Sequence, residues 1–178
     1  GEKTMGYGTT NRSARVRQTV LMGLMFALAM VLSYVESMIT VPGLPPGVKL
    51  GLANIVTVFA LYQLGAGAAL AILLTRCLLG GLFAGNVSAM LFSLLGGVTA
   101  MLVMIALRRC RRLSVYGVSV GGAAAHNIGQ MAAACITLGS TMVLGYLPFL
   151  LAVSLVTGTL TGFVTALLMR AAQHIQFR

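Results

Sequence analysis

The sequence predicts an all-α integral membrane protein, a single bundle of six transmembrane helices with both termini on the inner side. Three observations predict it. Hydrophobic residues make up 58% of the 178 residues and charged residues only 8%, against roughly 25% charged in a soluble domain. The apolar residues fall into runs long enough to span a bilayer, which takes about 20 residues each. The basic residues sit in short clusters between those runs, as cytoplasmic loops do. The mean hydropathy is +0.98.

The elements follow from the punctuation. Residues 1–17 form a polar segment with Arg12, Arg15 and Arg17 at its end. They precede helix 1 at about 18–39, whose length and lack of a small-x-small cleavage signal read as a retained span rather than a signal peptide. Three of the four prolines, in the loop TVPGLPPGVK, stop it. Helix 2, at about 50–64, is short and ends at Gly65-Ala66-Gly67. Helix 3 is predicted at about 67–82 and closed by GGLFAGN. Helix 4, at about 86–107, ends in the basic run Arg108–Arg112. Helix 5 is predicted at about 115–138. Helix 6, at about 146–171, follows GSTMVLGYLP. The membrane domain is thus 18–172, with 173–178 as a tail. No internal repeat or interdomain linker is visible.

Charge sets the orientation. With the N-terminus inside, the inner segments hold Lys3, Arg12, Arg15, Arg17, Arg108, Arg109, Arg111, Arg112, Arg170 and Arg178. The outer loops hold only Lys49, and Arg76 lies within a span. This is a positive-inside pattern in a multi-pass protein of the cytoplasmic membrane. The net charge of +10 therefore does not point to nucleic acid, because no basic face carries it.

Composition also excludes chemistry. Asp is absent and the acids are Glu2 and Glu36. Two-carboxylate hydrolysis, a Ser-His-Asp triad and Asp-held magnesium all need acids the chain lacks. Cys77, Cys110 and Cys135 have no CxxC spacing, and the two histidines are 48 residues apart. No metal site, haem pair, iron–sulfur cluster or other cofactor is expected, and no catalytic set. The reading is of a non-enzyme.

The intramembrane polar residues are the functional candidates, because each is costly in lipid. Arg76 lies about nine residues into helix 3 and needs an anionic partner, dipoles or water. Two partners are open: Glu36 near the outer end of helix 1, or an anionic group on a ligand. His126, Asn127 and Gln130 share one region of helix 5 and either hold a polar ligand or stitch helices by hydrogen bonds. Lys49 stands at the outer mouth of helix 2 with Asn54 about one turn deeper, so it either snorkels or steers an anion inward. Asn86 opens helix 4, as an N-cap or beside an anion at the helix N-terminus. His174 belongs to the solvated basic tail. Together, Lys49, Asn54, Arg76 and Asn86 map to the outer half, with His126 and Gln130 as the floor of a basic, outward-facing site. Small-residue motifs, Gly23-x-x-x-Ala27, Gly96-Gly97 with Ala100, and Gly158-x-x-x-Gly162, permit close helix approach within the bundle or, for helix 1, against a partner.

Three strings carry a resemblance: PGVKLGLANIVTVFALYQLG, LLTRCLLGGLFAGNVSAMLFSLLGG and VSVGGAAAHNIGQMAAA. Together they resemble the Gx transporter family, also catalogued as heptaprenyl diphosphate synthase component I, over about residues 17–170. That family looks like a branch of the S components of energy-coupling factor (ECF) transporters. The resemblance implies a six-helix membrane protein that binds a vitamin or related micronutrient, without being an enzyme. The implied partners are a transmembrane T subunit and two ATPase subunits, against which the S component topples in the lipid bilayer. It implies ligand contacts around Lys49, Asn54, Arg76, Asn86, His126, Asn127 and Gln130. In S components an Ala-x-x-x-Ala motif of helix 1 contacts the T subunit, and Gly23-x-x-x-Ala27 is the nearest equivalent here. The absence of a Walker motif leaves ATP hydrolysis to such partners. Relatives stand beside flavin- and quinone-linked redox proteins, which makes a flavin, quinone or prenyl compound one class of ligand. The alternatives are a non-catalytic membrane partner of a prenyl diphosphate synthase, as the family's label implies, or a subunit of a flavin or quinone redox complex with no ligand of its own. Without Asp the chain cannot be the catalytic synthase subunit.

Overall fold

A computed structural model describes residues 7–39, 51–110 and 112–174. The whole TVPGLPPGVK loop, with Lys49, lies outside the described residues, as does the side chain of His174. Among the described residues six α-helices follow in order: α1 Tyr7–Met38, α2 Asn54–Gln63, α3 Ala66–Ala84, α4 Val87–Arg108, α5 Val115–Leu138 and α6 Leu147–His174. A short 3-10 segment, Thr141–Tyr146, leads into α6. No strand occurs among the described residues.

The helix ends follow local chemistry. Gly85 closes α3 with φ 60°, where its N–H reaches the carbonyls of Gly81 and Leu82, a left-handed cap that glycine adopts without a Cβ clash. Ser114 caps α5 by accepting from the Gly117 N–H. Pro148 sits in the first turn of α6, where its missing N–H costs no helical bond. One expected boundary moves: α1 begins at Tyr7 rather than near residue 18. Arg12, Ala14, Arg15 and Arg17 favour helix, and the helix extends through this polar stretch where the apolar run does not.

Among the described residues, four helical stretches are long and apolar enough to cross a membrane: Ala14–Met38, Ala66–Phe83, Val87–Arg108 and Thr141–Ala172. The protein is thus a multi-pass membrane protein, but two of the six expected spans are of a different kind. The 24 residues of α5 are long enough, yet its glycines and its Ser119, His126, Asn127 and Gln130 dilute its hydropathy. The 10 residues of α2 rise only about 15 Å, half of a hydrocarbon core of about 30 Å.

That short helix is the centre of the bundle. It packs on α1, α3 and α6 and touches α4, and Val56, Thr57, Val58, Ala60 and Leu61 are all buried. Its C-terminal end, like that of any helix, leaves carbonyls without intrahelical partners. Arg108, at the end of α4, supplies the missing donor: its Nη1 donates to the Leu61 carbonyl, and its guanidinium lies 5.0 Å from the Tyr62 ring centroid. The basic run after helix 4 therefore has a structural member as well as a topological role.

The most extensive helix contacts are α4 with α5, then α5 with α6. Glycines make them. A Cβ at Gly129 would stand 2.5 Å from the Leu95 carbonyl oxygen and 2.8 Å from the Gly96 Cα. A Cβ at Gly158 would stand 2.6 Å from the Val120 Cα. The Gly158-x-x-x-Gly162 motif therefore packs the protein's own bundle, with Gly162 against Tyr116 and Ser119. Gly23 differs: nothing lies within 4 Å of where its Cβ would be, and both it and Ala27 are exposed on α1.

Candidate ligand-binding site

Two groups of polar residues emerge where the sequence suggests one. The first joins α1, α2 and α3. Glu36, 3% exposed, turns its Oε1 to the backbone of the incoming α2 segment, accepting from the N–H of Gly51 and, at 3.2 Å, from that of Leu52. Two successive N–H groups converging on one oxygen form an anion-holding nest. Gly51 has φ 88°, a conformation that favours glycine, and a Cβ there would crowd Asn54 Nδ2 at 3.1 Å. Asn54 is 6% exposed and its Oδ1 is buried without a partner among the described residues.

Arg76 lies one helix away, 7% exposed. Its Nη1 donates to Ser33 Oγ at 3.1 Å, and its Nε is buried without a partner among the described residues. The two open partners of Arg76 can now be separated. Glu36 is committed to the backbone of Gly51 and Leu52, Arg76 to Ser33, and no ion pair joins them among the described residues. A buried guanidinium held by one neutral hydroxyl is under-compensated, since desolvating an ion costs several kcal/mol. Ser33 was not among the candidate residues. Its signal in the sequence is its spacing, three residues before Glu36 and so on about the same face of helix 1.

The second group belongs to the α4–α5–α6 packing. Gln130 Nε2 lies 3.0 Å from His126 Nε2, and both side chains press on Gly96 of α4, where a Cβ would stand 2.9 Å from Gln130 Cγ and 3.0 Å from His126 Cε1. Asn127 Nδ2 donates to the Leu150 carbonyl of α6 at 2.8 Å. Asn127 thus stitches α5 to α6, while Gln130 keeps a buried Oε1 without a partner among the described residues.

Asn86 belongs to neither group. It is exposed and its Oδ1 accepts from the Ala89 N–H at 3.1 Å, so it is the N-cap of α4. The structure therefore places Asn54 beside the Gly51 segment that Glu36 holds and Arg76 on Ser33, one turn from Glu36 on α1, sets His126 and Gln130 side by side against α4, and leaves Asn86 apart. No group of three or more His, Cys, Asp or Glu that could hold a metal ion occurs among the described residues.

Comparison with known proteins now bears on this geometry. The sequence matches the heptaprenyl diphosphate synthase component I family over residues 25–168. The chain belongs to that family. This member of the family shares its fold with a solved S component of a bacterial ECF transporter, at TM-score 0.71 and 18% identity. The match covers 92% of this chain and 99% of that chain. At that identity the likeness establishes the S-component fold. No curated protein matches the sequence.

Proposed function

We propose that the protein is the substrate-binding subunit of an ECF-type uptake transporter in a bacterial cytoplasmic membrane, taking a small anionic micronutrient or cofactor precursor from the outer face. The observation that carries this reading is Arg76. In an S-component fold, a guanidinium more than nine-tenths buried keeps its Nε without a protein partner among the described residues. Such a group is stabilised by an arriving anion, and the low dielectric around it strengthens the pairing. Glu36 fixes the entry to α2 and Asn54 offers an unpaired polar atom beside it. His126 and Gln130 press on Gly96 of α4 and so act on the site through the packing of α5 rather than beside Arg76. Lys49, two residues before Gly51, steers the anion inward, and the N-terminus of α4 at Asn86 favours the same sign of charge. Energy comes from a T subunit and ATPase subunits, with the exposed Gly23 and Ala27 of α1 as the docking surface.

The test is to purify the full chain in mild detergent, identify any retained small molecule by native mass spectrometry, and measure its uptake with the energising subunits present. Arg76→Ala is expected to lose the retained molecule and its uptake while His126→Ala weakens both. Unchanged uptake and affinity in both variants would sink the reading.

The family's description supports a second reading, a non-catalytic membrane partner of a prenyl diphosphate synthase. Prenyl diphosphates are bound with magnesium by Asp-rich helices, and the chain has no Asp. Its part would be to hold the soluble synthase at the bilayer. Co-expression with a synthase decides this: activity that stays in the soluble fraction rules it out.

A further inference from the structure

Resting on the binding-subunit reading, we infer that Ser33 is the positioning residue of the anion site. Its hydroxyl fastens Arg76 by one end without cancelling its charge, so that the opposite edge of the guanidinium is presented to an oxyanion of the ligand.

The Ser33 hydroxyl is used unlike its neighbours. A helical hydroxyl in lipid commonly donates to a carbonyl of its own helix, where no water competes for it. On α1 Thr19 donates to the Arg15 carbonyl and Ser37 to that of Tyr34. Thr75 on α3 and Thr99 on α4 do the same. Ser33 turns to another helix instead. Its Oγ accepts from Arg76 Nη1 at 3.1 Å, and among the described residues its own proton goes to no carbonyl of α1. A hydroxyl is a neutral acceptor, so the guanidinium it holds keeps its full charge.

The point of attachment decides which part of the guanidinium stays open. Nη1 is the terminal nitrogen on the Cδ side of the planar group, so Nε–H shares the other edge with Nη2. Ser33 therefore grips Arg76 away from Nε, and Nε is buried without a partner among the described residues. On that edge Nε–H and an Nη2–H run parallel, the arrangement that two oxygens of a carboxylate or phosphate accept. A long side chain loses rotamer freedom when it binds. One already fastened at its far end loses less, and the ligand gains that difference.

Position 33 admits few other residues. Alanine would leave the guanidinium unfastened. A carboxylate would fasten it and neutralise it at once. The acid one turn further along α1, Glu36, is already engaged by the Gly51 and Leu52 N–H groups. A hydroxyl holds the cation in place and leaves its charge for the ligand.

The experiment uses the full chain in lipid nanodiscs with arginine side chains labelled with nitrogen-15. The Arg76 Nε–H resonance is assigned by its loss in Arg76→Lys. The probes are acetate and inorganic phosphate, with acetamide as the neutral control. An anion is expected to move the resonance saturably and acetamide to leave it in place, and the anion with the lower midpoint names the oxyanion that the edge prefers. Ser33→Ala is expected to raise that midpoint about tenfold, the size of one hydrogen bond to a charged group. Ser33→Thr keeps the hydroxyl and is expected to stay within about twofold of the wild type. Ser33→Asp is expected to hold Arg76 in an ion pair, so that the thermal midpoint is kept while the resonance no longer responds to either anion. A serine that only ties α1 to α3 gives another pattern, in which the alanine and aspartate variants both bind the anion as the wild type does. That result overturns the role of Ser33 and leaves Arg76 as the anion-binding group. A wild-type resonance that neither anion moves overturns the proposal as well, and uptake of a co-purified molecule then judges the binding-subunit reading separately.

Discussion

The α4–α5–α6 packing and the α1–α2–α3 group bury polar side chains by opposite means. In the former, glycine lets backbones touch: Gly129 meets Leu95 and Gly96, and Gly158 meets Val120. Its polar groups largely serve those contacts, as Asn127 does on the Leu150 carbonyl. In the latter a full charge of each sign is buried, Glu36 on two backbone N–H groups and Arg76 on a single hydroxyl. The lesson is that a polar residue in a membrane helix is costly in both places, but only one place keeps unsatisfied charge. Packing leaves neutral polar atoms such as Gln130 Oε1 without a partner among the described residues, whereas the α1–α2–α3 group leaves part of a charged group, Arg76 Nε, in that state.

Substitutions can break this contrast. The largest effect is expected at Gly129→Ala, where the new Cβ meets backbone that cannot rotate away, at a cost of about 3 kcal/mol. Gly23→Ala, with open space around it, is its control and is expected to change stability by less than about 0.5 kcal/mol. Thermal unfolding midpoints in detergent compare the two, and equal effects would refute the claim that glycine contact holds the α4–α5 pair.

Next in size is Glu36→Ala, which strands two N–H groups at the entry to α2 and is expected to cost about 2 kcal/mol. Glu36→Gln keeps an oxygen acceptor and should recover about half of that loss. A glutamine variant as damaged as the alanine one would show that the charge itself, rather than the acceptor, orders this segment.

The smallest of the three is Arg108→Ala, at about 1–2 kcal/mol from the unpaired Leu61 carbonyl and the lost stacking on Tyr62. Because α2 joins the inner end to Gly51 and Asn54, the same variant is expected to weaken ligand affinity severalfold without touching the ligand. Retained stability together with wild-type affinity would show that α2 needs no anchor at its inner end.

Much of the fold was legible in the sequence. Apolar run length, the prolines of the α1–α2 loop and the glycines between helices located every helix, and Asn86 and the Gly158 motif had their structural roles written in local sequence. Those features act through nearest neighbours along one chain segment, so a linear reading reaches them. The candidate site was legible as a set of residue types, Glu36, Asn54, Arg76, His126, Asn127 and Gln130, since each is an expense that lipid does not tolerate idly.

Tertiary structure alone decided how that set divides. Which side of a helix meets which neighbour depends on packing rotation and crossing, and these depend on all six helices at once. Only in three dimensions does Glu36 choose the Gly51 and Leu52 backbone over Arg76, Ser33 take the guanidinium, His126 and Gln130 press on Gly96, and Arg108 reach across to α2. The sequence by itself determined a polar, basic membrane bundle, because the cost of burying polarity is a property of the residue. The partner of each buried group was left to the fold, because satisfying that cost is a property of whatever lies within hydrogen-bonding distance.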